Sequence, residues 1–159
     1  MSDWTLLNWN PSRAAMPGLE DDTWTTTGIG KPPPEPGTRF LIKRCGHKSA
    51  IVGYGVTTSR DFEDADFEDP RKRSNYVSIK VISSSLEQVL PVRALRLLGI
   101  KLPWEFQGAM CRIDPVMGER VRLLFDAMLE PVAVSQTSEA WPKKKSARKS
   151  NVGLAMLAS

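Results

Sequence analysis

Residues 39–59 read Arg39-Phe40-Leu41-Ile42-Lys43-Arg44-Cys45-Gly46-His47-Lys48-Ser49-Ala50-Ile51-Val52-Gly53-Tyr54-Gly55-Val56-Thr57-Thr58-Ser59. Two runs rich in aliphatic, β-branched and aromatic residues flank a turn at Gly46-His47-Lys48. That pattern predicts a β-hairpin over 39–44 and 50–59. Gly53 and Gly55 lie two apart, so they share one face of the second strand. Glycines inside a strand mark a bulge, a sharp bend, or a group packed against bare backbone. Strongly bent strands are what a small barrel needs.

Upstream of the hairpin, Trp4-Thr5-Leu6-Leu7-Asn8-Trp9 reads as a short strand ended by Asn10-Pro11-Ser12. Residues 12–36 read as irregular and extended, with Gly28, Gly30 and the run Pro32-Pro33-Pro34. Downstream, residues 60–73 form a charged loop holding Asp61, Glu63, Asp64, Asp66, Glu68 and Asp69 together with Phe62 and Phe67. Residues 75–82 alternate as a third clear strand. Pro91 opens a short helix over 92–98 that Gly99 closes. Residues 108–113 read as a last strand. Asp114-Pro115 caps an amphipathic helix over 115–129, with Val116, Val121, Leu124, Phe125 and Met128 at helical spacing. The fold class is therefore α+β and mainly β, a small partly closed barrel with peripheral helices. The expected division is a domain over 1–134 and a basic, disordered tail over 135–159.

Composition narrows the function. A length of 159 residues suits one domain. No apolar run approaches the roughly 20 residues of a membrane span, and Met1-Ser2-Asp3-Trp4 starts no secretory signal. Cys45 and Cys111 are too few for a disulfide framework, so a reduced cytoplasmic location is the expectation. His47 is the one histidine. His-Asn-His nucleases, Ser-His-Asp hydrolases and multi-histidine metal sites need more than that. The phosphate-cradling patterns GxxxxGK[ST] and GxGxxG are missing, and no lysine follows a carboxylate by two residues. The acidic loop lacks the ligand order of a calcium site and reads as solvated. The expectation is no enzyme, no cofactor and no metal.

The charge is unevenly placed. Within 139–159, Lys143, Lys144, Lys145, Arg148 and Lys149 face Glu139 alone, which accounts for the whole net charge of +4. The remaining residues balance, so nucleic-acid binding by the body would depend on local patches. Among the tryptophans, Trp24 and Trp104 lie in stretches read as loops. Aromatics held on loops at a barrel mouth suit a stacking box for a flat ligand. Trp9 adjoins Asn10, whose amide offers both donor and acceptor.

The ordered string of motifs resembles the EVE-like domains of the PUA superfamily, as found fused to His-Asn-His nucleases in modification-dependent restriction proteins. It runs from Trp9-Asn10-Pro11 through Trp24, the two hairpin strands, Phe62-Glu63-Asp64, Tyr76-Val77-Ser78-Ile79 and Val89-Leu90-Pro91 to the segment from Trp104 to Gly108. It covers roughly residues 5–129. Lys43-Arg44 stands where the family has an arginine, Phe62 where tyrosine is common, and a serine is missing between Gln107 and Gly108. The resemblance implies a pocket that accepts a base flipped out of DNA or RNA and inspects its modification, with modified cytosine in DNA as the leading ligand. It implies Trp9, Trp24 and Trp104 as walls, and Asn10, Ser59 and Gln107 as readers of the base edge. Arg13, Lys43, Arg44, Lys48 and Arg60 are the implied contacts to flanking phosphates, joined by the tail's Lys143, Lys144 and Lys145. Cleavage would fall to a separate nuclease subunit. Two other readings stay open: an RNA-binding protein of the same fold, and a structural or regulatory interaction domain whose tryptophans are core.

Overall fold

The fold comes from a computed structural model of the chain that describes residues 3–19 and 22–130. The chain divides into two compact units, one up to Phe125 and one from Asp126 onward. The first carries every strand. The expected boundary at 134/135 and the basic tail, with Lys143, Lys144 and Lys145, lie outside the described residues.

The strands are β1 (Trp4–Trp9), β2 (Thr23–Thr25), β3 (Arg39–Arg44), β4 (Ala50–Thr57), β5 (Phe62–Ala65), β6 (Arg73–Ser84), β7 (Leu90–Pro91) and β8 (Met110–Ile113). Helix α1 spans Val92–Leu97 and helix α2 spans Pro115–Leu129. One mixed sheet runs in the order β2-β6-β4-β3-β1-β8, with β5 added on β6 and β7 on β4. The predicted hairpin forms β3 and β4 in antiparallel register, Phe40 opposite Gly55 and Ile42 opposite Gly53. β1 then pairs in parallel with β3, Trp4 opposite Arg39.

The sheet curls until its two ends meet. Thr27, just past β2, accepts bonds at its carbonyl from the Ala109 and Met110 amides at 2.9 and 3.1 Å, at the start of β8. This is the partial closure expected of a small barrel. The bending is local. Register shifts fall at Ile42/Lys43 and at Tyr54/Gly55. A Cβ added at Gly55 would press on the Lys80 carbonyl and lie 2.6 Å from Phe40 Cζ, and one at Gly53 would lie 2.5 Å from the Ser83 carbonyl oxygen. The two glycines therefore mark both a bulge and a close backbone approach.

One face of the curl packs Leu7, Trp9, Phe40, Ile42, Val52, Val77, Ile79 and Met110 into a core. On α2, Gly118 lets the helix backbone approach the Trp4 ring, and Phe125 meets Tyr54 edge-on at 6.2 Å. The Asp114 carboxylate accepts the Val116 amide at 3.0 Å, the expected cap. Val116, expected on the apolar face of α2, is exposed.

Two segments differ from the sequence expectation. Residues 12–36 hold β2, which pairs with β6 through Trp24 opposite Val77. Residues 60–73 hold β5, paired with β6 through Phe62 opposite Tyr76. Both strands are short and lack alternation of their own. The long strand β6 supplies the register that makes them strands, and a local pattern carries no sign of that.

Candidate nucleobase-binding cavity

A cavity of about 700 Å³ opens at one end of the curled sheet. That is within the usual range for small-ligand sites. Five chain segments wall it: the end of β1 with the loop after it, β2 with Thr27, the β3–β4 turn, the β5–β6 loop with Tyr76, and the loop before β8.

Asn8 ties the first wall to the last. Its amide nitrogen donates to the Phe106 carbonyl at 2.8 Å and to the Gly108 carbonyl at 2.7 Å, and its backbone amide donates to the Ala109 carbonyl at 2.9 Å. Its side-chain oxygen is buried without a partner. Trp24 packs partly against the core and also lines the cavity, and its indole nitrogen is likewise buried without a partner. The Lys43 ammonium, almost fully buried, donates to the Trp104 carbonyl at 2.5 Å. This holds the loop that carries Trp104, Phe106 and Gln107.

The opposite rim is acidic. Asp66 accepts the Glu68 and Asp69 amides at 3.0 Å each and the Ser74 hydroxyl at 2.5 Å. These bonds, the Ser74 one foremost, hold its carboxyl below its ordinary value. They also set the loop that brings Phe67 and Glu68 to the cavity. Glu68 in turn pairs with Arg13 from the loop after β1, and that hydrogen bond raises the Arg13 pKa. The loop read as solvated is thus partly a cavity wall.

No protein-family model matches the chain, and no curated protein sequence does. Solved structures do. The NMR structure of Rpa0253 from Rhodopseudomonas palustris superposes with a TM-score of 0.53 at 14% identity, over 81% of this chain and 96% of that one. The crystal structure of human THYN1, in complex with DNA containing 5-methylcytosine, superposes with a TM-score of 0.51 at 8% identity, over 82% and 99%. The fold is PUA-like.

On this PUA-like frame the residues singled out from sequence fall in three groups. Asn10, Arg13, Trp24, Lys43, Trp104 and Gln107 line the cavity. Of these, Asn10 spends its side-chain oxygen on the Ser12 amide and hydroxyl at 3.0 and 2.7 Å, and Gln107 is exposed, donating to the Glu105 carbonyl. Trp104 lines the cavity while almost wholly buried. Lys43 is internally bonded and not free to reach outward for phosphate.

Trp9 and Ser59 are not brought to the cavity. Trp9 is 6% exposed in the core and donates its indole N–H to the Ala14 carbonyl at 2.9 Å. The Ser59 hydroxyl accepts the Ser78 amide at 2.9 Å and donates to the Arg60 carbonyl at 2.8 Å, linking β4's end to β6. Arg44, Lys48 and Arg60 also lie off its walls. Arg44 donates to the Lys48 carbonyl, and Arg60 pairs with Glu35 at 3.3 Å.

Asn8, Tyr76 and Phe106 were not singled out. Tyr76 and Phe106 are hidden among ordinary strand and loop aromatics. Asn8 left a signal: asparagine is disfavoured inside a strand, and this one sits between Leu7 and Trp9.

Proposed function

We propose that this chain is a nucleic-acid-binding module that receives a flipped, modified base, modified cytosine in DNA, in the cavity walled by Trp24, Tyr76, Trp104 and Phe106. It carries out no catalysis of its own. The observation that carries this reading is the cavity itself, an opening of base-accommodating size with several aromatic walls and unpartnered polar atoms. The fold shared with THYN1, a protein solved with DNA containing 5-methylcytosine, supports it.

The energetics are compatible. Extruding a base costs a few kcal/mol. One aromatic stack returns about 1–3 kcal/mol, so two contacts of that kind offset the extrusion. Arg13 is the cavity-rim cation placed for a flanking phosphate, and Lys143, Lys144 and Lys145 add phosphate contacts that read no base. A single histidine and the lack of a carboxylate two residues before any lysine support the non-catalytic reading.

The test is a binding screen with DNA and RNA oligonucleotides carrying cytosine, 5-methylcytosine, 5-hydroxymethylcytosine or N6-methyladenine. Preference for a DNA probe with modified cytosine supports the proposal. Equal binding of all probes, or preference for RNA, contradicts it.

A further inference from the structure

We infer that Asn8 and Trp24 are the cavity's specificity pair, a fixed acceptor and a fixed donor that select a base presenting an exocyclic amino group; this rests on the base-binding reading above. Both hydrogens of the Asn8 amide are committed, to the Phe106 and Gly108 carbonyls at 2.8 and 2.7 Å. Flipping the amide would turn its oxygen onto those two carbonyl oxygens. The oxygen is therefore locked toward its unpartnered side as an acceptor. The Trp24 indole nitrogen can only donate, and it too lacks a partner.

Buried polar groups are nearly always hydrogen-bonded, and leaving one unpaired is costly. Here two such atoms of opposite sense belong to residues that line one cavity. A ligand that donates to Asn8 and accepts from Trp24 satisfies both. The amino edge of cytosine or adenine places an N–H beside an acceptor ring nitrogen. Thymine and uracil reverse that order, with a carbonyl where the amine stands and an N–H where the ring nitrogen stands. A carbonyl set against Asn8 meets acceptor with acceptor, and sites of this kind reject analogues by leaving their own groups unpaired. In this arrangement Trp24 offers its edge, and stacking falls to the other aromatic walls.

The sharpest probe pair is 5-methylcytosine against thymine, which share the ring and the methyl group and differ at that edge. Each is placed opposite an abasic position in the same duplex, so neither leaves a pair. Affinity and melting temperature are measured for the intact protein, for Asn8→Leu and for Trp24→Phe. The wild type is expected to prefer 5-methylcytosine by about tenfold or more, within the range for one good paired contact. Each variant should bring the ratio close to one. A merely structural role would weaken both probes together and leave the ratio standing. Should Asn8→Leu fail to fold, Trp24→Phe, which keeps a ring in place, still decides. A ratio unchanged in a folded variant, or a wild type without preference, overturns the specificity pair while the base-binding reading survives. A wild type that binds neither probe overturns both.

Discussion

The Lys43 ammonium donates to the Trp104 carbonyl oxygen at 2.5 Å, a strut from β3 to the loop that walls the cavity before β8. A buried cation of this kind acts on position before it acts on ligand. Lys43→Met keeps the stem and removes the charged bond, which contributes about 1.5–3 kcal/mol. Chemical denaturation should show a loss of that order. The salt dependence of DNA binding should stay as it was, because a lost phosphate contact would change the slope by about 0.9. A normal melt with a shallower slope would instead make Lys43 a phosphate ligand.

Arg13 and Glu68 pair across the cavity rim, and Glu68 occupies the guanidinium that a phosphate would use. Exposed pairs of this type contribute about 0–1 kcal/mol. Glu68→Gln is therefore expected to tighten binding to a duplex by up to about fivefold at low salt. The gain should vanish in the Arg13→Ala background. Fluorescence anisotropy at two salt concentrations checks both points, and weaker binding by Glu68→Gln would show that the carboxylate serves the ligand.

Asp66 ties the β5–β6 loop through the Ser74 hydroxyl and two backbone amides, and its carboxyl is held below the ordinary value. A carboxyl depressed in the folded state stabilises above its unfolded pKa, and the contribution disappears as pH falls through the folded pKa. Asp66→Asn should thus melt below the wild type near neutral pH. The two curves should converge in acid, below the ordinary carboxylate range. Melting temperatures from neutral pH downward read this directly; a gap that persists at the acid end would assign the effect to packing.

Gly55 lies against the Lys80 carbonyl and the Phe40 ring. Adding a methyl group there overfills the bulge. Gly55→Ala is expected to cost about 1–3 kcal/mol or more, read as a shifted denaturant midpoint. A neutral substitution would mean that the bulge relaxes freely and that the curl does not depend on it.

Much of the frame was legible because its signals are local. The β3–β4 pair announces itself through two apolar runs and a glycine turn, and α2 through Asp114-Pro115. β2 and β5 were not legible, because each becomes a strand only against β6. The same cause misplaced part of the site. Trp9 and Ser59 look like ligand residues in sequence, yet β1 turns Trp9 into the core and the Ser78 amide engages Ser59. Asn8 gains its meaning only when curling brings the Phe106–Gly108 carbonyls within reach.

The central claim is that a modified base enters the cavity and meets Trp24. The most direct measurement is the affinity of folded Trp24→Ala for a duplex with one 5-methylcytosine, taken beside its melting temperature. Loss of one aromatic contact of about 1–3 kcal/mol corresponds to a fall of roughly five- to a hundredfold in affinity. That fall, in a protein that still melts cooperatively, is the expected result. Unchanged affinity in the folded variant would contradict the account, and the cavity would then not be where the base binds.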